Sequence, residues 1–165
     1  MAMEIYALSD RRLTSMAEWQ RAIDAEHFPF PLALSSDIPF ADLSGFLPAR
    51  YENAPNGFEC DHWDPKSTMG EYPHIDFGHL WEFALAFRFG GRAGELESAW
   101  IAATAYARAT DGVVFDTEEG RVFEPNEAAQ LVRRIEANRP VRAEIDRAFR
   151  RRFSLMRDRS RDSGD

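Results

Sequence analysis

The sequence contains one cysteine, Cys60, and one lysine, Lys66, against 19 arginines. A single thiol cannot close a disulfide within the chain, so the fold must rest on packing, and nothing points to an oxidising compartment. No apolar run approaches the roughly 20 residues that cross a bilayer. The longest, around Leu80 to Phe89, is interrupted by Glu82 and Arg88. The opening residues MAMEIYALSDRR lack the leading basic cluster and apolar core of a secretory signal. From these absences we expect a soluble cytoplasmic protein with no membrane partner. The arginine bias suits a GC-rich bacterial genome. Also missing are G-x-S-x-G, a P-loop, G-x-G-x-x-G and H-E-x-x-H, so no nucleophile elbow, phosphate cradle, dinucleotide turn or zinc-protease helix is spelled out. We expect a non-catalytic chain that needs no cofactor.

What is present is enough to fold. At 165 residues with 44% hydrophobic content, a chain can bury about two-thirds of its unfolded surface in one core. The expectation is a single α+β domain over residues 1–157, followed by a polar, disordered tail at 158–165. Charge is uneven: residues 133–165 hold 11 basic and 6 acidic side chains, leaving 9 basic and 22 acidic for residues 1–132. An acidic body repels nucleic-acid phosphates and draws basic partners, less so as salt rises. It also keeps a small protein in solution. The arginine-rich end RAFRRRFSLMRDRSR could meet phosphates, yet Phe149 and Phe153 fall on an apolar stripe facing a core. No nucleic-acid partner is expected.

Periodicity gives the elements. Residues 4–9 alternate, with Ile5 and Ala7 on one side and Tyr6 and Leu8 on the other. Ser15 and Glu18 fit a capping box before a helix whose stripe is Met16, Trp19 and Ile23, ending near Pro29. An irregular segment with a short helical turn runs to Leu47. A hairpin over residues 46–62 is predicted to turn at Asn53–Gly57. Residues 79–89 alternate as a central strand with His79, Trp81, Phe83, Leu85, Phe87 and Phe89 on the core side. Helices are predicted after residues 93, 125 and 140, and a hairpin pairs 113–115 with 121–123. The fold expected is a mostly antiparallel sheet of five or six strands, with helices packed mainly on the Trp81/Phe83/Leu85/Phe87 face.

Chemistry-bearing residues concentrate in GFECDHWD, residues 57–64. Strand alternation places Cys60 and His62 on one face and Glu59, Asp61 and Trp63 on the other. Cys60, His62, His74 and His79 offer sulfur and nitrogen donors of the kind zinc takes, but their C-x-H-x11-H-x4-H spacing matches no established zinc motif. A metalloprotein or small enzyme using Cys60, His62 and His74 is the alternative reading, and a phage-associated or assembly structural protein a third. Carboxylates around an aromatic suit a basic protein partner, the ring giving burial and the acids steering and pairing. The candidate contact residues are therefore Glu59, Asp61, Trp63, Asp64 and Glu71.

Within residues 105–134, an alanine-rich helix leads into Gly112-Val-Val-Phe-Asp116, a turn, and a helix opened by Pro125-Asn-Glu127. This segment resembles small bacterial α+β immunity proteins of polymorphic-toxin systems. It departs from them at Asp111, where a first glycine often stands. The resemblance implies a role, binding and blocking a cognate toxin, and carries over no site residue.

Overall fold

Alternation in FALAFRF and its neighbours builds a sheet that is buried on both sides at its centre. The computed structural model describes residues 2–139 and Arg151. In chain order the elements are β1 (Met3–Ser9), α1 (Met16–Glu26), β2 (Leu32–Leu34), a 3₁₀ turn (Phe40–Asp42), β3 (Phe46–Tyr51), β4 (Ala54–Trp63), α2 (Pro65–Glu71), β5 (Phe83–Phe89), α3 (Glu95–Ala109), β6 (Val113–Asp116), β7 (Arg121–Phe123) and α4 (Pro125–Ala137). One sheet of seven strands, ordered β2-β3-β4-β5-β1-β6-β7, is antiparallel at every pairing. The strand beyond the expected six is β2. The fourth helix expected after residue 140 and the tail at 158–165 lie outside the described residues.

Leu85, Phe87 and Phe89 of β5 and Ile5 and Ala7 of β1 point to the side that α1, α3 and α4 cover. Trp19 is the centre of that layer. Its ring meets Phe40, Phe87 and Tyr106 edge-on, and its indole N–H donates to the Ala102 carbonyl at 2.9 Å. Five buried alanines of α3, Ala99, Ala102, Ala103, Ala105 and Ala107, let that helix lie close to the strands. The Ser15 hydroxyl accepts from the Glu18 amide at 3.1 Å, as a cap should. The Glu18 carboxylate reaches back to the Thr14 amide, one residue short of the expected partner.

One turn differs from expectation for a clear reason. The β3–β4 turn is Glu52-Asn53, both at positive φ (52° and 62°), with Tyr51 opposite Ala54. Inward packing of Leu47, Ala49 and Tyr51 sets this register, and Gly57 lies within the ladder instead. At the end of α3 the left-handed residue is Asp111 (φ 55°), a conformation that short polar side chains tolerate. Gly112 follows it, its amide donating to the Ala107 carbonyl at 2.7 Å. A Cβ on Gly112 would stand 2.1 Å from the Leu8 carbonyl oxygen, so glycine is required there for close approach to β1.

The described residues cover the opposite face of the sheet only in part. Met69, Tyr72, Ile75, Phe77 and Trp81 pack on Tyr6, Leu8, Ala84, Ala86, Val113 and Phe115. The expected strand at residues 79–89 is thus shortened to 83–89, and Trp81 lies across the sheet from Leu85 and Phe87. Both neighbours set that limit: β1 runs out at Ser9 opposite Phe83, and β4 at Trp63 opposite Ala84. The Glu82 amide donates to Asp10 at 3.2 Å in place of a ladder bond.

Candidate functional site

Among the described residues, nothing gives the half of that second face formed by β3 and β4 such a cover. Along β3 the burial alternates, leaving Phe46, Pro48 and Arg50 outward. Opposite them on β4 stand Glu59, Gly57 and Pro55 in register. The Phe46 ring lies across Gly57, whose Cβ, if present, would meet it at 2.4 Å, yet Phe46 remains 57% exposed. Trp63, further along β4, is 40% exposed, and the Arg88 guanidinium lies 5.6 Å from its ring centre.

Of the candidate contact residues, Glu59, Asp61 and Trp63 share this face, and Asp64 and Glu71 stand at the two ends of α2. Seven helical residues separate that last pair by about 10 Å. Two of the acids are already engaged. Asp61 accepts from the Gly45 amide at 2.9 Å and the Ser44 hydroxyl at 3.1 Å, pinning the loop before β3. Asp64 accepts from the Lys66 amide at 3.0 Å and caps α2. Glu59 and Glu71 are exposed, and their carboxylates make no hydrogen bond or ion pair with the described residues.

The sulfur and nitrogen donors are not brought together. Cys60 is buried beside Phe58 under the helices, and burial pushes its thiol pKa up. His62 is on the same side, its Nε2 2.8 Å from the Phe40 carbonyl oxygen. His74 and His79 belong to the segment that covers the other face, where His79 pairs with Asp10 at 2.6 Å. Among the described residues no group of three or more His, Cys, Asp or Glu side chains could hold a metal ion. No described helix is long and apolar enough to cross a membrane.

Sequence reasoning missed two features. One is Phe46 as an exposed ridge, which depended on the register that sets it over Gly57. The other is a buried polar cluster at the far end of β3. The Tyr51 hydroxyl donates to Glu136 at 2.6 Å, and Glu136 is only 1% exposed. Burial drives the Glu136 pKa upward, with the Tyr51 bond and nearby Arg139 opposing. Arg139 itself stacks on Phe30 and Tyr51 and pairs with Glu52. The visible signal was a carboxylate on the apolar stripe, since Glu136 follows Ala128 and Val132 at intervals of four.

No protein-family model matches the sequence, and neither a curated protein nor a solved structure matches it. The functional reading therefore rests on the residues themselves.

Proposed function

We propose that this chain is a non-catalytic binding protein, acting in the bacterial cytoplasm as an immunity protein that holds and blocks a basic toxin. The observation that carries this reading is Trp63, 40% exposed on the half of the sheet that the described residues leave open, with the carboxylates of Glu59 and Glu71, unpaired among those residues, nearby in the chain. A half-exposed indole supplies burial to a partner, and free acids steer and pair its cations. The acidic excess of residues 1–132 adds long-range attraction of the same sign. Asp61 and Asp64 contribute charge while holding the loop and the helix that frame the contact.

Capture from a lysate of the source organism, with elution by rising salt, tests the proposal. Wild-type bait retains a basic protein that salt releases. Bait carrying Glu59→Arg and Glu71→Arg, or Trp63→Ala, loses it. Undiminished retention by both variants contradicts the assignment of these residues.

A further inference from the structure

The half of the second face left open by the described residues carries an apolar ridge, hollows beside it and charges of both signs. Phe46 stands as a ridge between two hollows. One, of about 480 Å³, is lined by Phe46, Pro48, Arg50, Pro55 and Arg92. The other, of about 200 Å³, is lined by Phe46, Gly57, Glu59 and Arg88. The strip is also polar along its length. At one end the Arg92 guanidinium makes no hydrogen bond or ion pair with the described residues, and the Arg50 guanidinium donates only to the Asn53 carbonyl. At the other end the Glu59 carboxylate is equally unengaged. Pro55 lies opposite Arg50 and Glu59 opposite Phe46, so the two charged ends are about 13 Å apart along β4.

We infer that this strip is the contact between two copies of the chain stacked face to face, related by a two-fold axis that lies parallel to the sheet and across its strands. Such an axis sets Phe46 of one copy into the hollow beside Phe46 of its partner, and brings Arg50 and Arg92 opposite Glu59. An isologous contact requires the same patch to carry both ridge and hollow and both signs of charge. An axis across the strands leaves those of the two copies nearly antiparallel, within the roughly 30° at which facing sheets pack. The edge of β3 is a poorer route to association. Residues Ala49–Tyr51 are already paired with β2, and Pro48 has no amide hydrogen to donate. The contact shares Glu59 with the basic partner proposed above, so partner and second copy exclude each other.

Sedimentation velocity of the full chain alone, over a range of concentrations, tests the inference without any partner. The expected species has twice the 18.9 kDa chain mass. Phe46→Glu weakens self-association by about tenfold or more, as loss of a central aromatic anchor does. Arg50→Glu weakens it too, and adding Glu59→Arg to Arg50→Glu restores it. This charge pair keeps the test valid if Phe46→Glu fails to fold, which circular dichroism reports. A monomer at every concentration, or a dimer indifferent to both Phe46→Glu and the charge pair, overturns the inference. A monomer that still captures a basic protein leaves the proposed function standing and assigns the strip to that partner.

Discussion

On one side of the sheet Trp19, Phe40, Phe87 and Tyr106 meet ring to ring beneath an alanine-rich helix. On the other, the described residues cover only the β1–β5–β6 half, and Phe46 projects from β3 with more than half its surface exposed. A single sheet thereby divides two tasks. The helix-side residues contribute stability because they lose all contact with water. Phe46 and Trp63 contribute little to folding for the opposite reason, and their apolar surface stays available to another molecule.

If this division is right, substitutions should sort by face. Trp19→Ala removes the largest buried side chain of the helix layer together with its indole hydrogen bond to the Ala102 carbonyl. We expect a loss of about 3–5 kcal/mol in urea unfolding, and a loss under about 1 kcal/mol would move the centre of the core elsewhere. Phe115→Ala on the covered half of the second face strips Tyr6, Tyr72 and Phe77 of their shared neighbour. A comparable cost of about 3 kcal/mol is expected, accompanied by faster amide exchange in α2 and residues 72–82. Exchange that rises evenly over the whole chain would show that this cover is not a separable layer.

Glu136→Gln probes the polar cluster where β3, α3 and α4 meet. Because burial raises the carboxyl pKa in the folded state, the native protein holds this proton more tightly than the unfolded chain does. Stability from Glu136 is therefore complete below the unfolded carboxylate pKa and declines as pH rises through the folded value. The glutamine variant keeps an acceptor for Tyr51 and lacks that decline, so it should gain on the wild type as pH is raised from acid toward neutral. Parallel stability curves for the two proteins would refute this account of the cluster. The smallest folding effect is expected at the uncovered strip, where Phe46→Glu and Glu59→Arg should each stay within about 0.5 kcal/mol of the wild type. A large destabilisation by either would mean that the strip belongs to the core.

The long elements were legible because their apolar positions repeat. The stripe Met16, Trp19 and Ile23 defines α1, and the alternation of Ile5, Tyr6, Ala7 and Leu8 defines both faces of β1. What stayed hidden is what local sequence does not encode. β2 has three residues and is defined by its pairing to β3. α2 buries only Pro65 and Thr68, so it shows no stripe, although Asp64-Pro65 carries the cap and first-turn signals of a helix start. His79 and Trp81 continue the alternation of β5 by coincidence, after both neighbouring strands have ended. The face shared by Glu59, Asp61 and Trp63 was readable from period two alone. The commitments of Asp61 to Gly45 and of Cys60 and His62 to the core, by contrast, arise from contacts distant in sequence or from burial.

Hydroxyl-radical footprinting of Phe46, Trp63 and Leu80 tests the central claim, that the uncovered half of the second face is where this molecule meets others. Leu80, 81% exposed on the covering segment, serves as the internal reference. Relative to dilute protein, the complex with a captured basic partner should show Phe46 and Trp63 protected and Leu80 labelled as before. Protection of Leu80 with Phe46 and Trp63 unchanged would contradict the account and move the contact to the covering segment.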